Sequence, residues 1–257
     1  MNNKNLGLPL EYQQMPEYFD AHNIGADTEA KNAVIERLLK EHNVKTVLDM
    51  TCGTGSQVFY LTQRGYKVIG SDFSPELLKQ ARAKAKKQSL DIIFIDGDMR
   101  DLQVGQFDAV ITMFNAIGHL DKLDFGKALQ NIHKNLKNGG IYIFDIFNSQ
   151  AITDDIIDSF KMDIETVVNG VKIRNQQHSE IDRQNNLLTS HDHYTIIKDG
   201  NEPEIHTNSF SLQIYTADEL KQMLARNGFE SLNQYDIEGK EFLAEKSLNV
   251  LTVARKI

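Results

Sequence analysis

Apolar positions change their period several times along the chain, and the order of those changes predicts the architecture. Between residues 28 and 41 they recur at helical spacing, at Ala30, Val34, Ile35, Leu38 and Leu39, with Asp27 as a candidate N-cap. A short apolar run, Val44 to Leu48, then ends at Asp49 and a glycine loop, Thr51-Cys52-Gly53-Thr54-Gly55. Ser56 to Arg64 reads as a helix opening out of that loop, and Lys67 to Gly70 as a second strand ending at Ser71-Asp72. Ser74-Pro75-Glu76 supplies a cap and a proline at the first helical position, with Leu77, Leu78, Ala81 and Ala85 as the apolar stripe. Further strands are predicted over Ile92 to Ile95, Ala109 to Met113 and Ile141 to Ile146, with a helix from Phe125 to Leu136 that stops at Gly139-Gly140. Short, nearly continuous apolar strands alternating with helices specify a parallel sheet covered on both faces. Such sheets bind ligands beyond the carboxyl ends of their strands.

From about 160 to 215 the period drops to two. Glu165 to Val168, Val171 to Gln177, Leu188 to Ile197 and Ile205 to Tyr215 read as extended segments, with hairpin turns at Asn169-Gly170 and Asp199-Gly200. Thr216-Ala217-Asp218-Glu219 is a capping box that opens a last helix ending at Asn227-Gly228. Phe229 to Tyr235 and Ser247 to Ala254 close the sheet. The predicted fold is α/β: a doubly wound, mostly parallel sheet of seven strands with the last antiparallel, plus an antiparallel β insertion. Residues 1–43 form an N-terminal helical lid, 44–159 and 216–257 the α/β domain, and 160–215 the insertion.

Composition narrows the partners. The formal charge is −8, which argues against a broad phosphate-binding face and disfavours nucleic acid. No apolar run is long enough to span a membrane, and Met1 to Asn5 lack the apolar core of a signal peptide. The single cysteine, Cys52, cannot form an internal disulfide, which points to a reducing, cytoplasmic setting.

The glycine loop carries the candidate chemistry. Gly53 and Gly55 let the chain turn tightly and let a ligand approach the backbone. Asp49 puts an anion at the loop's entrance, and Asp72, 19 residues after Gly53, can accept protons from both ribose hydroxyls. A dinucleotide fingerprint needs a third glycine, where this chain has Val58, and a pyrophosphate is repelled by Asp49. A cationic amino-acid moiety is attracted by it. The plainer alternative is a tight turn with an ordinary surface acid beside it.

Asp49-x-x-Cys52-Gly53-x-Gly55 resembles the glycine-rich motif of class I S-adenosylmethionine-dependent methyltransferases. The resemblance implies S-adenosylmethionine as cofactor and S-adenosylhomocysteine as product. It implies that Asp49, Thr51, Gly53 and Gly55 surround the methionine part, that Asp72 holds the ribose, and that Phe73 lies against the adenine. Asp98 and Met99 would meet the adenine edge, and Met113 would flank the sulfur. Gly97-Asp98-Met99-Arg100-Asp101 and Met113-Phe114-x-x-Ile117-Gly118-His119 look similar to the nucleotide-linked amino-sugar N-methyltransferases, which also carry an antiparallel insertion before the last helix. Asp145-Ile146-Phe147-Asn148 and Gly239-Lys240-Glu241-Phe242 depart from that subgroup's pattern.

Methyl transfer mainly requires alignment of an acceptor and, for an amine, removal of a proton. His119, beyond the fourth strand, is the candidate base, with loop capping as the alternative. An aromatic lid is expected from Tyr12, Tyr18, Phe19 and His22, with Tyr18 preferred over Phe19 for its hydroxyl. Arg174 and His178 align with substrate-domain positions of the sugar enzymes. His191 and His193 share a strand face but lack the partners a metal site needs, so no metal is expected. The insertion is expected to roof the acceptor pocket, and a homodimer face is a second use open to it. The expected activity is methylation of a small-molecule acceptor, preferably an amine. Methylation of a tRNA or protein, dinucleotide-dependent oxidoreduction and a non-catalytic cofactor-binding role stand as alternatives.

Overall fold

The computed structural model describes residues 6–198 and 201–257. Met1 to Asn5 and the predicted Asp199-Gly200 turn lie outside the described residues. Two 3-10 turns, Leu10–Tyr12 and Pro16–Tyr18, lead into α1 (Phe19–Asn23) and α2 (Ala26–Glu41). The α/β part then runs β1 (Thr46–Asp49), α3 (Ser56–Thr62), β2 (Lys67–Asp72), α4 (Pro75–Lys87), β3 (Ile93–Asp96), β4 (Phe107–Thr112), α5 (Lys122–Asn135) and β5 (Leu136–Phe147). After α6 (Asp154–Ser159) come four strands, β6 (Met162–Val168), β7 (Val171–Asp182), β8 (Leu187–Ile197) and β9 (Glu204–Gln213). The chain returns through α7 (Ala217–Arg226), β10 (Phe229–Tyr235) and β11 (Asn249–Lys256).

The main sheet has seven strands in the order β10-β11-β5-β4-β1-β2-β3, and only β11 runs against its neighbours. Chain order reverses at β1, which pairs in parallel with both β2 and β4. That switch point opens a crevice at the carboxyl end of β1, where the glycine loop sits. One face of the sheet buries Phe125, Leu129, Leu220 and Leu224, and the other buries Ile35, Leu38 and Leu39, so the sheet is doubly wound as expected. No helix among the described residues is long and apolar enough to cross a membrane.

Local signals explain most boundaries. Ser74 accepts from Leu77 N at 3.2 Å and Thr216 from Glu219 N at 3.1 Å, both as predicted caps. Several predicted ends moved, among them two at helices. The N-cap of α2 is Gly25 rather than Asp27, because Thr28 Oγ1 reaches back to accept from Gly25 N at 3.1 Å. Helix α5 stops at Asn135, ahead of Gly139-Gly140, because Leu136 turns to extended backbone at φ −102° and ψ 140° and begins β5.

The insertion is a separate antiparallel sheet in the order β6-β7-β8-β9. Its Asn169-Gly170 turn has φ of 51° and 82°, the left-handed pair a two-residue hairpin requires. The inward face buries Ile173, Tyr194 and Ile196 against Leu10, Met15 and Tyr18, tying the N-terminal segment to the insertion. Residues 6–8 continue that attachment along β9, where Ser211 N donates to Leu6 O at 2.6 Å and Asn208 Nδ2 to Leu8 O at 2.8 Å.

Candidate functional site

A cavity of about 430 Å³ lies at the carboxyl ends of the central strands, with Leu6, Gly7, Leu8, Tyr12 and Phe19 of the N-terminal segment among its walls. Its size falls within the range of small-molecule sites. Thr51, Gly53, Asp72, Phe73, Asp98, Met99, Met113 and His119 all line it. Residues predicted from four separate loops are thereby brought to one space.

Gly53 stands at φ +51° and donates its N–H to Asp72 Oδ2 at 2.8 Å, while Ser74 N donates to Asp72 Oδ1 at 2.9 Å. Asp72 thus locks the glycine loop to the end of β2. Burial pushes its carboxyl up to about 6, against which the backbone donors work. Asp49 is not a wall residue; it is buried just behind Met50 and Thr51. Its Oδ1 accepts from Thr51 N at 3.1 Å, and its Oδ2 has no partner. Burial, with the Asp72 charge adding, pushes its carboxyl up to about 8. A buried acceptor left without a donor is unfavourable unless a ligand supplies one.

His119 ends the 3-10 turn Ala116–His119 that follows β4. The Tyr12 hydroxyl lies 3.2 Å from its Nε2, and Nδ1 is buried without a partner. Burial holds the imidazole down at about 4, so it is neutral near pH 7. Asp98 is chelated by Arg100, whose Nε lies 2.9 Å from Oδ1 and whose Nη1 lies 2.6 Å from Asp124 Oδ2.

Besides Asp49, four expected site residues stand off the cavity wall. Gly55 does not line the cavity; its φ of +94° forms the left-handed cap of α3, and a Cβ there would meet the Phe59 ring at 2.7 Å. Tyr18 packs under the insertion with Ile173 and Tyr194 instead of reaching the cavity, and its neighbour Phe19 takes the wall position. Arg174 and His178 fall on the outward face of β7 by the period-two rule. There Arg174 Nε donates to Asp163 Oδ1 at 2.7 Å, and His178 stacks on His191 with ring centroids 4.8 Å apart.

Three further features escaped the sequence. Gln57 lines the cavity and has a buried, unpartnered Nε2; a glutamine after a glycine loop gives no distinctive signal. Tyr12 meets His119 from a site 107 residues away in the chain, a contact only the folded N-terminal segment creates. Phe114 and Asn115 occupy left-handed backbone at φ 62° and 58°. Asp145 Oδ1 accepts from Phe114 N at 2.6 Å, and Asn249 Nδ2 bridges Asn115 and Asp145 at 3.1 and 3.3 Å. Strained backbone of this kind persists where its surroundings over-determine it.

Residues 47–140 match the model of the methyltransferase domain. Over 133 residues the chain is 38% identical to a glycine/sarcosine N-methyltransferase of Parasynechococcus marenigrum, covering 50% of this chain and 47% of that protein. It is 30% identical over 125 residues to the dTDP-3-amino-3,4,6-trideoxy-alpha-D-glucopyranose N,N-dimethyltransferase of Streptomyces venezuelae, covering 47% and 51% of the two chains. The chain thus matches about half the length of these curated relatives. Its fold is similar to the sugar N-methyltransferase KedS8 of Streptoalloteichus, with a TM-score of 0.79, 18% identity and coverage of 100% and 96%. DesVI of Streptomyces venezuelae superimposes with a TM-score of 0.76 at 20% identity, covering 94% and 98%. Within this sheet order, it is the segment holding the glycine loop that matches a methyltransferase domain.

Proposed function

We propose that this protein transfers a methyl group from S-adenosylmethionine to the nitrogen of a small amine. The observation that carries the reading is the buried, unpartnered Asp49 Oδ2 behind the glycine loop. Its free oxygen can accept from a cationic amino group, whose charge in turn favours the ionised carboxylate. Gln57, with its own unpartnered nitrogen, offers a second polar group at the same loop. The residues therefore fit the cofactor, and the match to a methyltransferase domain supports the same choice over a dinucleotide.

When bound, S-adenosylmethionine supplies an electrophilic methyl group on sulfur. Asp49 would hold its ammonium, Asp72 its ribose, and Phe73, Asp98 and Met99 its adenine side, with Met113 toward the sulfur. His119 supplies the base. With Nε2–H donated to the Tyr12 oxygen, Nδ1 keeps a lone pair that can take the proton an amine must lose. Leu6, Leu8, Tyr12 and Phe19 wall this space with apolar and aromatic surface. Relatives named for methylating glycine, sarcosine and an amino sugar support an amine acceptor.

The test is incubation with S-adenosylmethionine labelled in its methyl group and a panel of glycine, sarcosine and nucleotide-linked amino sugars. Label on the nitrogen of at least one of these amines is expected. Label found only on oxygen or carbon acceptors in a wider panel would contradict the amine assignment.

A further inference from the structure

The chain leaves β4 through an elbow that no glycine eases. Phe114 and Asn115 both stand in left-handed backbone, at φ 62° and 58°. Asparagine tolerates that region, but a bulky side chain such as phenylalanine is a genuine outlier there. The group that holds the pair is Asp145, near the end of β5, in the segment that departs from the sugar enzymes' pattern. Its Oδ1 accepts from Phe114 N at 2.6 Å and, more distantly, from Asn115 N at 3.4 Å. Asn249, at the start of β11, donates to Asp145 Oδ2 at 3.3 Å and to Asn115 Oδ1 at 3.1 Å, which closes a ring of bonds around the elbow.

Asp145 is 1% exposed and is not a wall of the cavity, so it meets neither cofactor nor acceptor in the functional reading above. Burial pushes its carboxyl up to about 6, against which the Phe114 and Asn115 N–H groups and the Lys31 charge work. What this carboxylate commands is the path of the chain. Ahead of the elbow, Met113 N donates to Thr51 Oγ1 of the glycine loop at 3.3 Å. Behind it, Asn115 O accepts from Gly118 N at 2.9 Å and so opens the 3-10 turn that carries His119. That turn lies close against β5, where a Cβ on Gly118 would meet Ile146 Cδ1 at 2.9 Å. The direction of the elbow and the seat of the turn must agree, and Asp145 fixes the first of these.

We propose that Asp145 is a positioning residue: by holding the Phe114-Asn115 elbow, it sets the place of the His119 imidazole and of the Phe114 ring in the cavity. The proposal rests on His119 acting as the base in the functional reading above. It gives β5 and β11, none of whose residues walls the cavity, a part in aligning the acceptor.

The test uses the full chain carrying nitrogen-15 in its histidines, with the His119 signals assigned by their loss in His119→Ala. In the natural chain His119 should stay neutral from about pH 8 down to about pH 5.5, since burial holds it at about 4. Asp145→Ala releases the elbow, and His119 should then titrate inside that window, toward its ordinary 6.5. Turnover per S-adenosylhomocysteine-binding site, on whichever panel amine takes the label, should fall about 10- to 100-fold, the effect of a misplaced catalytic group. S-adenosylhomocysteine affinity should change by much less, because Asp145 stands off the cavity wall. Asp145→Asn keeps an oxygen for the two N–H groups, and should recover most of the turnover and a neutral His119. Should Asp145→Ala not fold, Asn249→Ala breaks the bridge alone and should show both effects in smaller measure. The proposal is overturned by a His119 that stays neutral through the window in Asp145→Ala or, in its place, in Asn249→Ala. It is overturned as well by turnover per binding site equal to that of the natural chain beside a lower melting temperature, the mark of a purely structural role. Asp145→Asn as impaired as Asp145→Ala also overturns it. If no panel amine takes the label, or if His119→Ala turns over normally, the functional reading fails instead, and the His119 titration still decides whether Asp145 sets its place.

Discussion

Asp49→Asn is expected to weaken S-adenosylhomocysteine binding by roughly 10- to 100-fold, the worth of one charge-assisted hydrogen bond in a buried site. The folded protein without ligand should be no less stable for the change. A carboxylate raised to about 8 by burial is held in its neutral form at a cost to the charged one. Its folded pKa lies above its unfolded value of 3.8, so its stabilising contribution is complete below 3.8 and is lost as pH rises through about 8. An amide has no such loss. Ligand-free Asp49→Asn should therefore melt at or above the natural chain at pH 8.5, with the difference shrinking toward pH 6.5. Cofactor affinity should show the complement. Binding an ammonium favours the ionised carboxylate, so natural-chain affinity should climb as pH approaches 8 while that of Asp49→Asn stays flatter. Calorimetric titration at several pH values measures this, and parallel pH profiles for the two proteins would remove Asp49 from the binding account.

His119→Ala carries the second large effect. General-base removal lowers turnover by about 10²- to 10⁴-fold, and S-adenosylhomocysteine affinity should barely move because His119 serves the acceptor. The imidazole is held near 4, below its ordinary 6.5. It therefore stays unprotonated well below pH 6.5, and protonation of His119 itself should lower kcat only as pH falls toward about 4. The same shift makes His119 a group whose stabilising contribution is present above 6.5 and lost as pH falls through about 4. A residue that only capped its loop would give a different pattern: lower melting temperature with turnover per folded molecule unchanged.

The sequence displayed what local chemistry controls. The alternation of strands and helices followed from short apolar runs, and caps at Ser74 and Thr216 followed from side chains that bond their own helix. The glycine loop, Asp72, Phe73, Met113 and His119 were legible because a parallel sheet gathers its loops at one end. Contacts made by packing between distant segments were not. Tyr12 reaches the cavity, and Tyr18 does not, because the insertion buries Tyr18 against Tyr194. Alternation would have placed Arg174 and His178 outward had Ile173 and Asn175 been recognised as the buried set of β7. The left-handed Phe114-Asn115 pair depends on Asp145 and Asn249, which no local pattern links to it.

Thermal unfolding with S-adenosylhomocysteine and, separately, with NAD tests the central claim most directly. A ligand at 100 times its dissociation constant adds about 2.7 kcal/mol, which raises the midpoint of a chain this size by roughly 5–10 °C. The account predicts that rise with S-adenosylhomocysteine and none with NAD. A rise with NAD alone, or with neither ligand, would contradict it.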